Sequence, residues 1–244
     1  MPLDQILLFV LKIYITYILP ALVLISYLIS GRSNDLFTIS FTLFICLFSF
    51  VASRTLFSKT KERKPERLSG DWTLPLAMSV HLGMATFMVV EFNFLISGQY
   101  LLMQRPIYLV IGLILLGSSV SLRRWAVKSL GSQWSIHAVG AQQIKKVRVT
   151  TIGPYKYVRH PIYISWILDA ISLPFMWALP VSFLIAATLV TPAYILRAMY
   201  EERASIRRFG RPYLRYMIAT DAFIPSNLLS SGKRAPKLYK RKAN

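Results

Sequence analysis

Arg159, His160 and Tyr163 surround Pro161 in the run GPYKYVRHPIY, Gly153 to Tyr163, and Arg197 and Glu201 stand four residues apart in the later run RAMYEE. A proline at that position opens a helix well, because its missing N–H and fixed φ suit a first turn. The free N–H groups of such a turn favour an anionic or polar ligand. The spacing of Arg197 and Glu201 puts both on one helical face. As a surface pair they would contribute about 0.3 kcal/mol, with Arg before Glu the weaker order. At the end of an apolar helix they point into the protein or a wet cavity instead, because exposure to lipid is costly. The chemistry suggested is the capture of a charged small molecule at helix ends. Interfacial anchoring by Arg159 and Tyr163, with His160 as a helix cap, fits the same residues, and the local pattern leaves both readings open. Glu202 is expected on the exposed side, paired with Arg203 or nearby bases.

The elements that must position these groups are long apolar blocks. The 244 residues are 55% hydrophobic, and the apolar positions run in stretches rather than short amphipathic periods. A bilayer-crossing helix needs roughly 20 such residues. Ile6 to Ile29, Leu36 to Phe57, Leu74 to Ile96 and Ile107 to Leu122 precede the motif region. Ile162 to Leu173 and Val181 to Leu196, joined across Pro174 to Pro180, follow as a tight hairpin of short arms that cross the bilayer or dip deeply into it. Pro20, Pro75 and Pro192 interrupt these helices. The expectation is an all-α, multi-pass bundle of about six membrane helices, with a cytoplasmic cofactor pocket formed by loops and the C-terminal helix. Residues 1–122 supply the N-terminal helices, 123–225 the catalytic region, and 226–244 a polybasic, disordered tail. The N-terminal block reads as a retained span, since no small-residue cleavage pattern follows it.

The net charge of +19 gathers beside the apolar blocks, which argues for topology and anionic lipid headgroups rather than nucleic acid. Lys59 to Arg67 and Arg123 to Lys128 hold the dense basic clusters, which places both termini in the cytoplasm. The connector from Arg123 to Arg159 mixes Trp125 and Trp134 with bases, as an interfacial segment would. A basic helix from Glu201 to Met217, bent at Gly210 and Pro212, suits the membrane surface. A lone Cys46 excludes an internal disulfide, and His81, His137 and His160 lack metal-ligand spacing. His81, Glu91 and Asp169 are intramembrane polar groups for which structural hydrogen bonding outweighs a cavity-lining role, and His137 is expected to be structural. No P-loop or GxGxxG motif is present.

The order GPYKYVRHPIY, helical hairpin, RAMYEE, FGRPYLRY and Phe223-Ile-Pro225, preceded by Lys128-Ser-Leu-Gly-Ser-Gln-Trp134, resembles the isoprenylcysteine carboxyl methyltransferase family and its phospholipid methyltransferase relatives. The resemblance covers roughly Arg123 to Pro225. It implies transfer of a methyl group from S-adenosylmethionine to a lipophilic acceptor that enters from the bilayer, typically the carboxyl group of a prenylated cysteine. It also implies a cofactor pocket of Val147, Arg148, Val149, Thr150, Tyr155, His160, Pro161, Ile162, Tyr163 and Glu201, with Arg197 as the substrate-binding, catalytic arginine. The implied membrane is the plasma membrane in a prokaryote and the endoplasmic reticulum in a eukaryote. Ser165 replaces the family's glycine, Leu179-Pro180 its Asn-Pro turn, and the loop upstream of Gly153 matches poorly. NADPH-dependent membrane sterol reductases resemble the same C-terminal region and form one alternative; a non-catalytic lipid-binding protein is another.

Overall fold

The computed structural model describes Val10 and residues 13–29, 39–47, 72–92, 106–131 and 148–225. Among these, every regular element is helical. A π turn, Tyr14–Ile18, leads into α1 (Leu19–Ile29). Then come α2 (39–47), α3 (Thr73–Val90) and α4 (Pro106–Leu130). A 3-10 turn, Gly153–Lys156, precedes α5 (Pro161–Met176). A helix opening as α6 (Pro180–Ile185) passes through a π turn, Ala186–Val190, into α7 (Thr191–Phe209). The last helix is α8 (Arg211–Ala219).

Among the described residues, three helices are long and apolar enough to cross a membrane: α3, α4 and the continuous 30-residue Pro180–Phe209. The second hairpin arm is therefore longer than the apolar block suggested, because Leu196 to Phe209 carries the same helix on into polar sequence. Its partner α5 has 16 residues, a rise of about 24 Å, against a hydrocarbon core of about 30 Å. The expected surface helix from Glu201 to Met217 is two helices: Gly210, at φ +61°, ends one and starts the next. The expected connector from Arg123 begins only after Leu130, because α4 runs that far. The basic residues 59–67, His137, Trp134 and the tail after Ser226 lie outside the described residues.

The prolines do not break the helices. Pro75 falls in the first turn of α3, where its missing N–H costs nothing. Pro20 and Pro192 each follow a π turn by two residues, so the same local widening of the hydrogen-bond ladder recurs where each proline removes a donor.

Between lipid-exposed helices apolar burial contributes little, since lipid is as apolar as leucine; close packing and hydrogen bonds hold such a bundle together. Both are visible. The α4–α5 pair is antiparallel: a Cβ on Gly112 would fall 2.0 Å from Met176 Cγ, so only glycine permits that approach. Further along, Ser119 donates to Ser165 O at 2.7 Å and to Asp169, which also pairs with Arg123. The outward side of α4, with Ile107, Val110 and Ile114 exposed, suits contact with lipid. At the hairpin turn Trp177 packs edge-on to Phe41, itself stacked on Phe92 at 3.9 Å. Buried Glu91 accepts from the backbone N–H of Val181 at 2.8 Å and Ser182 at 2.7 Å, and from the Ser182 hydroxyl. A carboxylate from α3 thus satisfies the orphan donors at the start of α6, where the helix dipole also favours negative charge.

Candidate active site

The loop before α5 is fixed from two sides. Gly153, at φ +61°, lies so close to α4 that a Cβ would come within 2.0 Å of Ser129 Oγ, which makes glycine obligatory there. From the other side, Val158 bridges in parallel to Asp221, and the N–H groups of Arg159 and His160 donate to the carbonyls of Asp221 at 2.8 Å and Ala222 at 3.1 Å. The Tyr216 hydroxyl donates to Tyr155 O at 2.7 Å. Burial pushes the phenols of Tyr155, Tyr213 and Tyr216 above their usual range, so they stay protonated; nearby Glu201 adds to the effect on Tyr155.

Arg159 reaches across this loop. Its Nε donates to Glu202 Oε1 at 2.8 Å, and its Nη1 donates to the carbonyls of Met217, at 3.0 Å, and Thr220. A guanidinium at the C-terminal end of α8 meets the carbonyls that the helix leaves unpaired. His160 Nε2 lies 2.9 Å from the same Glu202 oxygen. Its ring stacks on Tyr163 at 5.6 Å and leans on Phe223 at 5.6 Å. His160 makes no capping bond through its side chain. Glu202 is thus not the outward partner of Arg203 expected from the sequence; it turns inward and joins the start of α5 to α7.

Deeper in, the Tyr163 hydroxyl donates to Glu201 Oε2 at 2.6 Å and accepts from Arg197 Nε at 3.1 Å. Arg197, only 1% exposed, also donates from Nη1 to Thr73 Oγ1 at 3.1 Å. Glu201 is half-buried. Arg197 and Glu201 share one helix face as expected, and Tyr163 joins them across the hairpin. Tyr163, Trp166 and Tyr194 form an aromatic group with centroids 5.3 to 6.1 Å apart.

The structure therefore brings together His160, Tyr163, Arg197 and Glu201. Pro161 is buried at the first turn of α5; the side chains of Tyr155 and Ile162 pack with Ala126 of α4 in a small core. Arg148, Val149 and Thr150 form an irregular stretch leading to the loop, with Arg148 exposed, and Val147 lies outside the described residues. Of the intramembrane polar groups, Asp169 and Glu91 are absorbed by the hydrogen bonds given above, and His81 Nδ1 lies 2.8 Å from the Tyr194 hydroxyl. Thr73 had no sequence signal, since it opens an apolar helix like any other cap-forming residue; Phe223 was legible as part of the closing Phe223-Ile-Pro225 motif but not as a neighbour of His160.

A guanidinium and a carboxylate held apart by a phenol, beside an imidazole and aromatic faces, can take up two partners of opposite charge and fix their separation. Residues 109–207, which hold all four converging side chains, match the isoprenylcysteine carboxyl methyltransferase (ICMT) family. The likeness to that family covers under half of the chain. Protein-S-isoprenylcysteine O-methyltransferase of Mus musculus is 30% identical over 105 residues, 43% of this chain and 37% of the relative. Protein-S-isoprenylcysteine O-methyltransferase B of Arabidopsis thaliana is 26% identical over 104 residues, 43% of this chain and 52% of the relative. The uncharacterized protein YpbQ of Bacillus subtilis (strain 168) is 30% identical over 96 residues, 38% of this chain and 54% of the relative. These matches thus span 37% to 54% of the relatives' own lengths. Thr73 and α8 fall outside the ICMT-family segment.

Proposed function

We propose that the chain is an integral membrane methyltransferase that uses S-adenosylmethionine to methylate the carboxyl group of a prenylated cysteine, or a similar lipophilic acid, at the cytoplasmic face. The observation that carries this reading is the Arg197–Tyr163–Glu201 bridge, which places an anion-binding and a cation-tolerant group side by side.

The residues present suit the cofactor's chemistry. A half-buried carboxylate with capacity for about four hydrogen bonds, one of them occupied by Tyr163, suits hydroxyl or amino donors. Aromatic faces at His160, Tyr163 and Phe223 suit a positively charged group. When bound, the cofactor supplies a sulfonium methyl group already activated for displacement: the S–CH3 bond breaks as the acceptor's O–CH3 bond forms, and the electron pair returns to sulfur.

Arg197 draws the acceptor carboxylate by charge, and its burial strips water from the pair. Glu201 holds the cofactor's polar groups, and Tyr163 fixes the distance between the two functions. His160, steadied by Glu202, and the neighbouring aromatics exclude water. Opposite charges neutralise one another as the methyl moves, so a dry site favours the step, and a carboxylate acceptor requires no base. The exposed apolar sides of the helices offer the acceptor's lipid chain a route from the bilayer.

Membranes carrying the chain, incubated with methyl-labelled S-adenosylmethionine and a panel of prenylcysteine, phospholipid and thiol acceptors, test the reading. Label on the prenylcysteine carboxyl group, released by mild base as methanol, supports it. Failure to label any member of the panel, or binding of NADPH in place of S-adenosylmethionine, rejects it.

A further inference from the structure

We propose that the outward face of α8 docks on the anionic headgroup layer of the membrane that the chain spans, and that this docking holds α8 closed over the site. Arg211, Leu214, Arg215 and Ile218 recur at the spacing of one helix face, and all four are exposed, Ile218 at 89%. The opposite face is committed to the protein through buried Tyr213 and Tyr216. From Arg203 to Ala219 the sequence carries five arginines and no Asp or Glu; Asp221 is the first acid beyond.

Positive charge alone would also attract nucleic acid. Exposed Leu214 and Ile218 between the arginines, with Ile224 close by in sequence at 68% exposure, instead match the boundary between headgroups and acyl chains. Gly210 joins α8 directly to a helix of membrane-spanning length, so the headgroup layer is within reach. The inner face ends on groups of the site: Tyr216 holds the Tyr155 carbonyl, and Arg159 holds the last carbonyls of α8 while bonded to Glu202, the partner of His160. Lipid charge on one side of α8 thus stabilises the closed arrangement on the other. The docking is independent of the methyl-transfer reading; its effect on turnover rests on that reading.

The full chain is reconstituted in vesicles of phosphatidylcholine alone, or of phosphatidylcholine mixed with phosphatidylserine, and hydrogen exchange is followed at the amides of residues 211–219. Exchange is expected to slow by on the order of tenfold in the anionic vesicles. The gain disappears in the Arg211→Gln/Arg215→Gln double variant and at high salt. Equal exchange in both vesicles, wild-type behaviour of the double variant, or equal protection by an oligonucleotide in neutral vesicles would overturn the proposal. Exchange that responds to lipid charge without methyl transfer in either vesicle upholds the docking and removes the reaction; transfer without an exchange response does the reverse.

Discussion

Tyr163 and Glu201 meet across the hairpin in a 2.6 Å hydrogen bond whose donor oxygen also accepts from Arg197. The phenol belongs to the first turn of α5 and the two ionic groups to α7, so the site exists only when the arms are packed. Removing the hydroxyl in Tyr163→Phe keeps the ring contacts and deletes two charge-assisted bonds. A loss of about 1.5 to 3 kcal/mol is expected in the functional interaction, roughly tenfold to a hundredfold in turnover. Turnover and cofactor titration check it; a Phe variant with wild-type values in both refutes the bridge.

Arg197 and Glu201 should separate in their effects. Glu201→Gln weakens cofactor binding, whereas Arg197→Lys lowers turnover and raises the KM for the acceptor with cofactor binding largely intact. Calorimetric titration with cofactor distinguishes them, and equal loss of binding in the two variants defeats the division of roles.

Glu202 acts through others. Glu202→Ala leaves Arg159 and His160 without their shared acceptor, so the contacts from Arg159 to α8 should loosen along with the His160 ring. The KM for cofactor should rise more than kcat falls, and hydrogen exchange across 211–223 should quicken. A change in kcat alone would place Glu202 elsewhere in the reaction.

Glu91→Leu probes the far end of the same bundle. The carboxylate accepts three hydrogen bonds in a buried setting, and its removal leaves the backbone donors of Val181 and Ser182 unsatisfied. A loss of about 1 to 3 kcal/mol per buried donor is the expected scale, read as a lower unfolding temperature in detergent with little change in the KM of the remaining folded protein.

Much of this was legible in the sequence because block hydrophobicity and Pro161 at a helix start are local signals. The i, i+4 pair of Arg197 and Glu201 likewise stated its own geometry. Glu202 was misread because a neighbouring Arg203 offered a local partner, whereas the actual partners, Arg159 and His160, lie more than 40 positions earlier. The same distance hid Thr73, whose contact with Arg197 spans 124 positions. Helix ends were misplaced where hydropathy stops and the helix does not: Arg123 and Glu201 both sit on turns that continue apolar helices into polar sequence.

The helix α3 is fastened to the helix Pro180–Phe209 at both ends and between them. Near one end, Glu91 grips two backbone amides and a hydroxyl; midway, His81 Nδ1 meets the Tyr194 hydroxyl, and near the other end the Thr73 hydroxyl meets Arg197. Polar pins spread along two rods fix how far one can slide past the other, so the arginine proposed to bind the acceptor takes its depth in the bilayer from α3 as well as from the hairpin.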